Sequence, residues 1–283
     1  MNDGGGARPA VGLAWGPAAR ALLRSDPALV DHVEVPFEHL RHDPGTVDAL
    51  GDVPVVLHCA SMSVAGFVEP DDATLADIRS WADRVGTPWI GEHLAFVLAD
   101  DPEALVAGTE GEPTRLTYTM APQLSERVLR RVGENLDRLR ERFDHELIVE
   151  NNPQYLDVPG SEMSQVEFVA EVAARFDVGL LLDLTHLAVS AHNLGFDPAA
   201  ALAALPLDRV VEVHLSGMSV QGGVAWDDHA SLAPPAVLDL FATVAEEAAP
   251  RAVTLEYNWA PDHRLDAVVD QILAVRAAVG RAG

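Results

Sequence analysis

Lysine is absent from this chain of 283 residues, and cysteine occurs once, as Cys59. A lone cysteine excludes an internal disulfide and a redox cysteine pair, and it fits a reducing cytoplasm. No apolar run approaches the roughly 20 residues needed to cross a bilayer, so no membrane association is expected. The start, MNDGGGARPA, lacks the basic stretch and apolar core of a secretory signal. Residues 1–10 read as a flexible tail, and the expected location is cytoplasmic. A glycine-rich phosphate loop and a Gly-x-Ser-x-Gly elbow are also missing, which removes support for nucleotide binding and serine hydrolysis. Positive charge is scarce: 19 basic residues face 44 acidic ones, a net charge of −25. Such a field repels phosphate backbones and disfavours a nucleic-acid partner.

What the chain does contain is apolar sequence in a regular alternation. Hydrophobic residues make up 48% of it, enough for a large core. Runs rich in Val, Leu and Ile read as buried parallel strands at Val11–Trp15, His32–Phe37, Val53–Ala60, Trp89–Phe96, Glu146–Asn151, Gly179–Thr185, Val210–Gly217 and Ala252–Asn258. Amphipathic segments lie between them at Asp72–Val85, Pro122–Phe143, Ser164–Phe176, Pro234–Ala248 and Asp262–Val279. Polar starts at Asp71 and Ser164 suit two of these as helix caps. The first two crossovers are less regular, and Asp100–Met120 reads as a long loop. Eight strand–helix repeats predict an α/β fold, a single (β/α)8 TIM barrel over residues 11–283.

Barrel enzymes carry their chemistry at the C-terminal ends of the strands. His58, His93, Glu150, Asp183 with His186, His214 and Glu256 all fall there, and Asp227 and His229 lie in the loop after the seventh strand. Buried carboxylates and imidazoles need a partner, and a shared metal cluster is the simplest one. Singly, each such histidine reads as an ordinary hydrogen-bonding residue and each acid as a helix cap. Together they are nine ligands, too many for one ion, and two or three ions bridged by Glu150 or Glu256 would use them. Five imidazoles and four carboxylates without thiolate suit iron, zinc or manganese. Asp183 and His186 can both turn inward as the chain leaves the sheet, and Asp227 and His229 would point the same way on an extended loop. Glu34, Asn151, Asn152 and Asn193 are candidates to orient ligands or contact substrate. Gly222 and Gly223 would let the last loop fold back over the mouth.

This ligand order resembles the xylose isomerase-like barrel superfamily, whose endonuclease IV branch holds three zinc ions with it. The local words point to another branch. LHCASMSVAG, ADRVGTPWIGEHLAF, VENNPQYL, LLLDLTHLAVSAHNLGFDP and HLSG resemble successive motifs of the multinuclear non-heme iron-dependent oxidative enzymes, from about Val11 to Glu256. The resemblance implies oxidative modification, commonly at cysteine, of a ribosomally made precursor peptide, with two or three irons as Fe(II)/Fe(III) and dioxygen as co-substrate. It also implies a small partner protein that presents the peptide. Asp183, His214 and Glu256 are the expected catalytic ligands. His186 stands where many members carry Asn, Met218 where many carry a second His, and Glu256-Tyr257-Asn258 where many have Glu-Trp-Asp. A zinc phosphodiesterase or a sugar isomerase on the same barrel are the competing expectations. The charge disfavours the first, and the absence of lysine removes one usual base of the second.

Overall fold

The computed structural model describes residues 8–101, 106, 111–257 and 265–280. Its strands in chain order are β1 (Ala10–Ala14), β2 (Val33–Pro36), β3 (Val55–Cys59) and β4 (Trp89–His93), then a hairpin of β5 (Phe96–Ala99) and β6 (Thr114–Met120). There follow β7 (Glu146–Glu150), β8 (Gly179–Asp183) and β9 (Val210–Ser216), a second hairpin of β10 (Met218–Gln221) and β11 (Val224–Asp227), and β12 (Ala252–Glu256). Eight of these close into a parallel barrel in the order β1-β12-β9-β8-β7-β4-β3-β2. The helices are α1 (Pro17–Ser25), α2 (Phe37–His42), α3 (Thr46–Leu50), α4 (Asp72–Val85), α5 (Glu126–Arg142), α6 (Gln165–Phe176), α7 (Leu184–Leu194), α8 (Pro198–Ala203), α9 (Pro235–Glu247) and α10 (Leu265–Val279). No helix among the described residues is long and apolar enough to cross a membrane.

Local chemistry explains the elements. Asp71 caps α4 by accepting from the Thr74 amide at 2.6 Å, and Ser164 forms a reciprocal capping box with Glu167 on α6. Helix α5 buries Val128, Leu129, Val132, Leu136 and Leu139, a stripe at helical spacing that packs onto the sheet. Odd and even residues of each strand then face opposite ways. Outward residues join the helices in one large core. At the lower end of the barrel, Val56, Trp89, Ile148, Leu181 and Ala252 form a small apolar plug. Above the plug the lining becomes polar.

Two expectations are corrected. The stretch Asp100–Met120 holds β6, which pairs antiparallel with β5, so it is partly a hairpin; residues 102–105 and 107–110 lie outside the described residues. The strand expected over Trp89–Phe96 ends at His93, where a tight turn with Ala95 N–H donating to His93 O at 2.7 Å closes β4, and Phe96 begins β5. The irregular first crossovers are α1 and the short pair α2 and α3. Residues 1–7 of the expected tail, Asn258 at the expected end of the last strand and Asp262 at the expected start of the last helix lie outside the described residues.

Candidate metal centre

Register lines up the inward residues. His93 sits opposite Glu150 and Asp183 opposite His214. The result is one contiguous cluster at the C-terminal mouth, built from four groups, three linked by shared residues and the fourth by the contact of His186 with Glu150. His58, His93 and Glu150 offer ligand atoms all within 4.8 Å of one another, as do Glu150, Asp183 and His214, then His186, Asp227 and His229, and lastly Glu34, His214 and Glu256. Glu150 belongs to the first two groups and lies in the middle. Its oxygens are 2.8 Å from His93 Nδ1, 3.3 Å from His58 Nε2, 3.3 Å from His186 Nδ1 and 3.7 Å from His214 Nδ1.

Backbone features make room for this packing. Gly91 faces inward opposite His58, and a Cβ there would lie 2.8 Å from His58 Nδ1. Asp183 is at once the last residue of β8 and the N-cap of α7: its Oδ1 accepts from His186 N–H at 2.7 Å, which leaves Oδ2 for the cluster. His186 is held in the first turn of α7, its Nδ1 2.8 Å from the Asn151 carbonyl, so that Nε2 reaches Asp227 at 3.1 Å. Asp227 and His229 meet at 2.8 Å, though the loop is not extended as expected. His229 takes a left-handed backbone, φ 50°, which turns its ring back toward Asp227. Gly222 and Gly223, both at positive φ, make the tight turn between β10 and β11.

The electrostatics follow from burial plus close opposite charges. Desolvation pushes His58 down to about 4, with the neighbouring His93 adding to the effect. Desolvation also lifts Asp183 to about 7 and Glu34 to about 8, against the pull of His186 and His214 respectively. For Glu150, burial acts upward, yet His93, His186 and His58 outweigh it and hold the carboxyl down to about 2. His229 moves the other way: despite burial, Glu256 and Asp227 raise it to about 9.

The donor set fits a metal cluster. Both oxygens of Glu150, Asp183 Oδ2, and the ring nitrogens His93 Nδ1, His214 Nδ1 and His229 Nε2 are buried without a hydrogen-bond partner among the described residues. Ligand-type atoms left unpaired at this density are costly unless a cation satisfies them. All nine expected ligands are therefore brought together, and Glu34 joins them.

The asparagines act on the backbone. Asn151 Nδ2 donates to Asp183 O at 2.9 Å and its Oδ1 accepts from Asp183 N–H at 2.9 Å, which fixes the backbone of that candidate ligand. Asn152 donates to Leu94 O. Asn193 donates to Gln154 O and Ala225 O and accepts from Ala225 N–H, so it ties the β10–β11 hairpin to the loop after β7.

Three further acids were given no role in the sequence reading, Glu92 and Glu212, which are buried, and Glu38, which is half-buried. Glu38 accepts from Ala60 N–H and Ser61 Oγ, and Glu92 from Met62 N–H, so both hold the loop that follows His58. Glu212, one inward position below His214, accepts from Thr254 Oγ1 at 2.6 Å and Trp89 Nε1 at 2.7 Å. The available signal was its place two residues before the candidate ligand His214 on a buried strand, which puts both on one face.

Fold and centre define a (β/α)8 barrel with a histidine–carboxylate cluster at its mouth. The chain is similar to solved barrels such as endonuclease IV from Thermus thermophilus (21% identity, TM-score 0.56, covering 97% of this chain and 100% of that one). It is likewise similar to the 3-keto-D-glucoside 4-epimerase from E. coli (14% identity, TM-score 0.56, covering 95% and 100%). At these identities the likeness establishes the fold. The profile of a family described as RiPP precursor modification enzyme MbnB/TglH/ChrH matches residues 10–278, and the chain belongs to that family. A UPF0276 protein from Caulobacter vibrioides is 32% identical over 275 residues, 94% of this chain and 93% of the relative. Another, from Anaeromyxobacter sp. (strain Fw109-5), is 38% identical over 192 residues, 68% of this chain and 63% of the relative, just under two thirds of its length.

Proposed function

We propose that this protein is a multinuclear iron enzyme that uses dioxygen to modify a ribosomally synthesised precursor peptide oxidatively, at a cysteine. The observation that carries the reading is the single cluster in which Glu150 joins two candidate ligand groups while buried atoms of five candidate ligands lack partners, within a chain of the RiPP-modifying family. His58, His93 and Glu150 would hold one ion. Glu150, Asp183, His214 and Glu256 would hold a second, and His186, Asp227 and His229 a third. When bound, the irons supply the redox chemistry and the site of dioxygen activation.

The chain's own residues supply position and access. Asp183 and His214 are wholly buried, which keeps water from the inner side of the cluster. The side chains of His93 and His229 are 18% and 23% exposed, so the open approach for a peptide side chain lies between them. Asn151 and Asn193 hold Asp183 and the hairpin carrying Asp227 in place. The lone buried Cys59 fits a reducing cytoplasm, and the peptide would arrive on a small partner protein.

The test is turnover. Iron-loaded protein, mixed with the precursor peptide encoded beside its gene and with the encoded partner, is expected to consume dioxygen and change the mass of a cysteine-containing fragment. Zinc-dependent cleavage of a phosphodiester, with no oxygen uptake on any such peptide, would contradict the proposal and favour hydrolysis on this barrel.

A further inference from the structure

Glu34 clusters geometrically with His214 and Glu256 and so presents itself as a tenth ligand. The hydrogen bonds of His214 argue otherwise. The ring is fully buried and has carboxylates on both sides. On the Nε2 side, Glu34 Oε2 lies at 3.0 Å and Glu212 Oε1 at 3.7 Å. On the Nδ1 side, Glu256 lies at 3.3 Å and Glu150 at 3.7 Å.

These sides are not equivalent. Nδ1 has no hydrogen-bond partner among the described residues, and it faces Glu150, the acid shared with the other ligand groups. Nε2 has a partner within bonding distance, and the second acid behind it is already committed to Thr254 and Trp89. A neutral imidazole bound to a metal through one nitrogen carries its proton on the other. Outer carboxylates commonly hold that proton and so fix the ring. Glu34 also lies 3.9 Å from His58 Nδ1, while His58 Nε2 faces Glu150. It thus stands behind two ligand imidazoles, on the side away from the central acid.

We propose that Glu34 is a positioning residue and not a ligand: it holds a proton on His214 Nε2 and thereby presents Nδ1 to the ion shared with Glu150, Asp183 and Glu256. This rests on the metal-binding half of the proposed function and is independent of oxidation. The interaction is a buried hydrogen bond between β2 and β9, residues 180 apart in sequence.

The experiment uses the full chain, labelled with 15N-histidine and loaded with zinc alone, and reads the protonated nitrogen of His214 from long-range 1H–15N spectra, the resonance being assigned by its loss in His214→Ala. A proton on Nε2 is expected, and a proton on Nδ1 would overturn the proposal. Two variants sharpen it. Glu34→Gln retains a carbonyl acceptor and is expected to keep the full zinc count and the Nε2 proton. Glu34→Ala is expected to weaken the shared ion about 10–100-fold in chelator competition. Loss of an ion from Glu34→Gln equal to that from Glu34→Ala would mean that Glu34 ligates, and would overturn the inference. The wild-type spectrum decides even if neither variant folds. A protein with the expected proton that oxidises no peptide contradicts only the proposed function, and one that takes up no zinc contradicts both.

Discussion

Two sets of polar side chains are buried in the same barrel, one above the other, and they are solved in opposite ways. The lower set is Trp89, Glu212, Thr254 and His32. Indole and hydroxyl donate to the two oxygens of Glu212, and His32 Nε2 meets Thr254 Oγ1 at 2.8 Å, so the acid is nearly saturated within the protein. His32 Nδ1 is the one polar side-chain atom of the set left unpaired among the described residues. The upper set is the ligand cluster, where Glu150 has four imidazoles around it and yet no well-aligned hydrogen bond to either oxygen. A closed network specifies a core, whereas a converging open one specifies a guest. The contrast teaches that burial alone does not mark a site; burial with unpaired, converging atoms does.

The comparison can be broken from above or below. The largest effect is expected for Glu150→Ala, which removes the acid common to two groups. At least one ion per chain should be lost by elemental analysis, with cooperative unfolding retained. An unchanged metal count would remove the centre of the account. Below it, Trp89→Phe leaves the buried Glu212 without one donor and should cost about 1–3 kcal/mol in denaturant unfolding, with the metal count intact. The reverse pattern would mean that the two sets are one network. Asn151→Ala frees the backbone of Asp183, and binding of the shared ion should weaken about 10–100-fold, measured against a competing chelator.

The smallest and most gradual effect is that of pH. His229 sits at about 9 in the metal-free protein, above its unfolded value. The stability it contributes is present below about 6.5 and is lost as pH rises through 9. Asp183 and Glu34, raised to about 7 and about 8, act with the same sign, because ionising them in place costs more than in the unfolded chain. Metal-free protein should therefore lose stability from about pH 6.5 to 9. Metal affinity should rise over the same range as the protons on its ligands are displaced. Melting curves with and without metal check both, and a metal-free protein that grows more stable across that range would contradict the sign.

The barrel and the convergence of the nine candidate ligands were legible because each terminates or follows an apolar run, and the closed barrel brings strand ends to one rim. Three things were less legible, each for a physical reason. The partnership of Glu34 with His214 joins positions 180 apart, and only closure of β2 toward β9 across the lumen brings them together. Asn193 carries a residue type that suits substrate contact, but its amide is spent on two backbone carbonyls and one N–H. The β5–β6 hairpin is hard to see because its second strand, TRLTYTM, is mostly exposed and lacks the apolar run that marks the barrel strands.

The most direct measurement is metal analysis with Mössbauer and EPR spectroscopy on protein purified anaerobically from iron-supplemented cells. Two to three magnetically coupled irons per chain is the predicted result. Stoichiometric zinc that iron does not displace, or a single uncoupled iron, would contradict it.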